Sequence, residues 1–224
     1  MTFSIVARCS ETGMFGVAVS SSSPAVAARC AFARAAVGAV ASQNITDPTL
    51  GPRALDLMAA GASAEEAIAI LHRSGPNMVY RQLLAVDADG GTGIHSGERA
   101  LGTFADAAAK GVASGGNLLA NGDIPQVIVD SFLASSGPLG GRLLVAMQAA
   151  VDAGGEEGPI HSAGMLLVRE VPWPVADLRV DWTDRCPIAE LRQLWTLYEP
   201  QMEDYITRAR DPAGSPSYGV PGDE

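Results

Sequence analysis

The feature that most constrains this chain is an apolar strand pattern that begins at its second residue and is answered at once by a partner run. Thr2 to Cys9 alternates Phe3, Ile5 and Ala7 with small or polar residues, and Met14 to Ser20 repeats the idea. Ser10-Glu-Thr-Gly13 between them is a turn, so the two runs form a hairpin. Strands joined by a short turn are antiparallel, whereas parallel neighbours need a crossover of about a dozen residues or more. The opening of the chain therefore argues against a doubly wound parallel sheet and for antiparallel layers.

The remaining sequence extends that pattern. Val37 to Gln43 reads as a buried strand whose polar end, Gln43 and Asn44, emerges at one edge of a sheet. Between the hairpin and this strand, Pro24 to Ala36 is Ala-rich, and periodicity leaves helix and packed loop both open. From Gly51 the period becomes 3.6, with Leu55, Met58 and Ala59, and Gly61 as a stop. Ser63 caps a second helix, with Glu65 and Glu66 in its first turn. Arg81–Asp87 and Thr92–His95 make another hairpin, followed by a short run, Val112–Ser114. Ile124–Ala134 and Leu139–Ala153 are helical, the first with Pro125 just inside its start. Ser162–Val171 and Val175–Val180 are strands, Pro187–Arg208 is a last amphipathic helix, and 209–224 is expected to be a flexible tail. Helices that come in pairs between groups of antiparallel strands suit an α+β, four-layer αββα sandwich: two antiparallel sheets flanked by helices, in one domain over 1–208.

Composition narrows the partners. A formal net charge of −10 repels phosphate backbones and anionic lipid, so neither nucleic acid nor a membrane surface is expected. No window approaches about 20 consecutive apolar residues, and no signal peptide is apparent, so a cytoplasmic protein is expected. Cys9, Cys30 and Cys186 contain no paired spacing and read as reduced, buried residues. His72, His95 and His161 share no ligand spacing with a carboxylate or cysteine, so no metal is expected, and no organic cofactor either.

Among residues that could carry chemistry, Thr2 stands first. With Met1 removed, it supplies a hydroxyl and a free α-amine in one residue, and an α-amine titrating near ~7.7–8.0 can take the hydroxyl proton. This is the pairing that activates an N-terminal threonine as a nucleophile. The strand pattern that starts at the same residue anchors the terminus in a sheet. His95 ends a strand and leads into the polar cluster Ser96-Gly97-Glu98-Arg99.

Met1-Thr-Phe-Ser-Ile-Val-Ala-Arg8, Gly16-Val-Ala-Val19, Val37–Gln43, Gly51-Pro-Arg-Ala-Leu-Asp-Leu57, Gly61–Ala67 and His95–Arg99 together resemble the bacterial family called domain of unknown function 1028. Ala113–Ala120 and Asp177–Asp181, leading into Pro187–Leu191, extend the resemblance in order to about residue 200. That family is regarded as similar to the N-terminal nucleophile hydrolases, whose fold is the αββα sandwich. The resemblance implies hydrolysis of an amide or other C–N bond of a small metabolite, with Thr2 as nucleophile. Asn117, together with Gly115 and Gly116 in a turn, would supply oxyanion donors, and Ser4, Gln43, Asn44, His95 and Arg99 would bind or orient substrate. Many members of that superfamily place a lysine near the nucleophile. Here Lys110 is the only lysine and lies outside any motif, while Arg29 offers a fixed charge that cannot act as a base. A catalytically silent small-molecule-binding protein on the same fold is the alternative. A homodimer is expected because closed two-fold assemblies are the commonest.

Overall fold

Alternation decides where the first strand sends its side chains. In a computed structural model describing residues 1–222, β1 (Thr2–Arg8) and β2 (Phe15–Ser21) form the expected hairpin, with Phe3 opposite Ser20 and Arg8 opposite Phe15. Phe3, Ile5 and Ala7 of β1 join one apolar cluster while Val6 joins another, as a period of two requires. The undecided stretch 24–36 divides into a single helical turn, α1 (Ala27–Cys30), and a short strand, β3 (Ala31–Arg34). It is followed by β4 (Gly38–Gln43), as the sequence predicted.

Helices α2 (Leu50–Ala59) and α3 (Ala64–Ser74) come next. Ser63 begins α3 with a full capping box: its hydroxyl accepts from the Glu66 amide, and the Glu66 carboxylate accepts from the Ser63 amide at 2.8 Å. The chain then forms β5 (Gln82–Asp87), β6 (Thr92–Ser96), β7 (Ala105–Ala109) and β8 (Val112–Asn117). β7 was not foreseen, and β8 runs three residues further than the apolar run suggested. Gly115 and Gly116 are thus strand residues, not a turn. A Cβ on Gly116 would lie 2.6 Å from the Leu119 side chain, so this glycine is there for close packing.

After α4 (Ile124–Ala134) and α5 (Leu139–Asp152), β9 (Ser162–Val168) and β10 (Ala176–Val180) complete the strands. The last helix of the sequence reading is two, α6 (Pro187–Tyr198) and α7 (Met202–Arg210), separated by a 3₁₀ turn at Glu199–Gln201. Pro200 in that turn has no N–H to continue the ladder. Within the expected tail, Arg208 donates to the carbonyls of Pro216 and Ser217. Residues 223–224 lie outside the described residues.

The architecture is mixed α+β with two antiparallel sheets. One runs β10-β9-β2-β1-β8-β7, the other β3-β4-β5-β6. Ile128, Leu143, Leu144 and Trp195 of α4, α5 and α6 cluster with Phe3 and Ile5 of the larger sheet, while Leu55, Ala67 and Leu71 of α2 and α3 cluster with Val40 and Leu83 of the smaller. A third cluster joins the sheets themselves, Val6 and Val17 from one with Ala41 and Leu84 from the other. No helix among the described residues is long and apolar enough to cross a membrane.

Candidate functional site

The start of β1 and the end of β8 meet by register. Thr2 is the strand partner of Asn117, and both face a cavity of about 250 Å³ whose other walls include Met1, Ser23, Arg29 and Asn44. Thr2 is only 7% exposed although it stands second in the chain, because β1 runs between β2 and β8 in the larger sheet. Its hydroxyl lies 3.4 Å from that of Ser21, and both hydroxyls donate to the carbonyl of Met1. Ser21 is further bonded to Ser23 at 2.8 Å.

Asn117 is buried, and its Nδ2 has no hydrogen-bond partner among the described residues. Buried amides are nearly always paired, so this donor is open to a partner from outside the chain, a water or a ligand. The backbone around the cavity is also strained. Asn44 and Ile45 take φ of 57° and 50°, and Leu118, directly after Asn117, takes 52°. For a β-branched residue such as Ile45 this costs on the order of 1–3 kcal/mol, and strain of that size gathers at functional sites.

Glu156, which sequence reasoning missed, lies beside the site without lining the cavity. It sits in a glycine-rich loop after α5, bridged to Leu119, and is 5% exposed. Oε2 accepts the Ser22 amide at 3.1 Å, while Oε1 is buried without a partner among the described residues. Continuing the β1–β2 register two residues beyond Phe3 and Ser20 sets Ser22 opposite Met1, so this carboxyl lies at the amino-terminal end of β1. Burial pushes it up to about 7, opposed by the positive amino terminus and the Ser22 bonds. A Gly-Gly-Glu-Glu-Gly segment reads as an exposed acidic turn. Only the tertiary packing of the loop against β8 and β2 buries one of its two acids.

The other predicted residues separate into two groups. Ser4 and Gln43 lie behind the cavity in a buried chain: Ser4 Oγ donates to Gln43 Oε1 at 2.6 Å, and Gln43 Nε2 donates to Gln82 Oε1 at 2.8 Å. Gln82 Nε2 reaches Ser96 Oγ at 2.9 Å and the carbonyls of Ala105 and Gly116. Asn44 lines the cavity, and its side chain joins loops, donating to the Tyr80 carbonyl and accepting the Leu101 amide. His95 and Arg99 do not line the cavity. His95 Nε2 is 2.8 Å from the Met78 carbonyl and its ring packs on His72, while Arg99 donates to the Tyr80 hydroxyl. Gly115 and Gly116 stand between β1 and β7 in the ladder, opposite Ser4 and Phe3 on one side and Asp106 and Ala105 on the other, and neither lines the cavity.

Residues 2–191 match the family of unknown function DUF1028. The chain belongs to that family. A crystal structure of its member protein SPO2555 from Silicibacter pomeroyi is similar over 93% of this chain and 93% of that one, with a TM-score of 0.83 and 28% identity. Anbu, the ancestral beta-subunit from Yersinia bercovieri, aligns over 97% of this chain and 100% of its own with a TM-score of 0.42 and 12% identity, a level from which nothing about function follows. No curated protein matches the chain.

Proposed function

We propose that this chain is an N-terminal nucleophile hydrolase that cleaves an amide or other C–N bond of a small metabolite, with Thr2 as nucleophile once Met1 is removed. We read its two sheets and their helices as the four-layer αββα sandwich of that superfamily. The observation that carries the proposal is the pairing of Thr2 with Asn117 at the cavity, where the Asn117 amide has no partner of its own. A carbonyl attacked by the Thr2 hydroxyl develops negative charge on its oxygen, and an amide donor already held in place can stabilise that charge without reorganising. Loss of Met1 removes the carbonyl to which the Thr2 and Ser21 hydroxyls now donate, freeing both, and exposes the amine that would accept the nucleophile's proton. Ser21 then stands within reach to relay that proton.

With Met1 attached, the Thr2 nitrogen is an amide and has no basicity, and the reading in which the cavity binds a small molecule without turning it over takes precedence. Intact mass of the mature protein distinguishes these two states. A species lighter by one methionine residue supports the hydrolase, and only a full-length species contradicts it.

A further inference from the structure

Arg29 is the one cationic side chain among the residues that line the Thr2 cavity, where the amino terminus of Met1 is the other positive group, and no acidic side chain lines it. In a chain of net charge −10 that is an unusual wall. Three acceptors fix the guanidinium: Nη1 donates to the carbonyls of Pro24 and Ala25 at 2.6 and 3.0 Å, and Nη2 donates to Ser23 Oγ at 2.6 Å. A guanidinium carries five N–H donors, so two remain, one on Nη2 and one on Nε. None of the three acceptors is charged, and Arg29 makes no ion pair among the described residues. The nearby buried acid, Glu156, is held by the Ser22 amide and faces the amino terminus.

We infer that Arg29 is the anchor for a carboxylate on the ligand of this cavity, which makes that ligand class an acid carrying an amide, such as an N-acyl amino acid. The inference rests on the proposed role of Thr2 for the bond that is cut, but not for the binding itself. Charge matching favours a carboxylate: the amino terminus at this wall already faces the Glu156 carboxyl, which leaves the guanidinium as the cation without an acidic partner, and one guanidinium balances a monoanion. An immobile guanidinium with two free donors also suits the planar two-oxygen acceptor of a carboxylate.

The test is calorimetric binding to the purified chain of N-acetylglycine, N-acetylalanine and N-acetylmethionine, each against its own carboxamide, with inorganic phosphate as a competitor. The acids should bind about tenfold more tightly than their amides, the scale of a charge-assisted hydrogen bond. Arg29→Met should bring that ratio close to one, and Arg29→Lys should restore part of it. Equal binding of acids and amides, no binding by any acid, or phosphate binding more tightly than the acids would overturn the inference. The wild-type ratio needs no variant, so it stands even if Arg29→Met fails to fold. Because binding is read without turnover, a Thr2→Ala chain should keep the same preference. Loss of the nucleophile reading and loss of this one are therefore seen in different experiments.

Discussion

Two buried polar groups that meet β1 two residues apart, at Ser4 and at Thr2, behave in opposite ways. The chain Ser4–Gln43–Gln82–Ser96 spans the two sheets, and each amide in it has found its partners. At Thr2, one strand position away from Phe3 and two from Ser4, Asn117 Nδ2 and Glu156 Oε1 have none. Both regions cost desolvation, but the first recovers it in hydrogen bonds and the second does not. The difference teaches that polarity inside this protein takes two forms: the closed network ties one sheet to the other through Ser4 and Gln43, and the open one leaves buried polar atoms without partners among the described residues, as the proposed ligand role would need.

Breaking the closed network should have the largest effect. Gln82→Leu removes the acceptor of Gln43 Nε2 and three contacts of Gln82 Nε2, and should cost about 3 kcal/mol in urea denaturation, since buried groups are left unpaired. A loss no larger than that of an exposed substitution would show the network to be incidental.

Glu156→Gln should do the reverse. Its carboxyl, ordinarily near 4.5, is pushed to about 7 by burial. Below 4.5 both folded and unfolded chains hold the proton, and between 4.5 and 7 only the folded one does, so the native state loses stability as pH rises through this window and the loss is complete above it. The Gln variant should therefore be more stable than the parent by roughly 2 kcal/mol at pH 8, with the gain gone at pH 4. A variant destabilised equally at both pH values would make Glu156 an ordinary structural acid.

Asn117→Ala is the mildest test. Although the residue is 1% exposed, its Nδ2 has no bond to lose, so melting should show a loss of about 1 kcal/mol at most. A cost approaching that of Gln82→Leu would erase the distinction between the two networks.

Much of this arrangement was legible in the sequence where local chemistry decides it. The hairpin of β1 and β2 follows from alternation and the turn at 10–13, and Ser63 with Glu66 announces the start of α3. Thr2 and Asn117 were both named, but their pairing is a matter of register between strands more than a hundred residues apart. Gly115 and Gly116 misled because glycine signals a turn by its backbone freedom, while here it makes room for Leu84 and Leu119. His95 and Arg99 drew notice as polar residues at a strand end, and their partners, Met78 and Tyr80, occupy them elsewhere. Glu156 left no local signal at all, since burial of one acid in a glycine-rich loop is decided by the elements that pack over it.

The central claim is that the open network serves a nucleophile at residue 2. A β-lactone, which acylates an activated hydroxyl, should be incubated with chain beginning at Thr2 and with chain retaining Met1, and the adduct located by intact and peptide mass spectrometry. The account predicts one adduct, on Thr2, in the shortened chain only, lost in Thr2→Ala and kept in Thr2→Ser. An adduct formed equally well with Met1 attached, or one that survives Thr2→Ala, would contradict it.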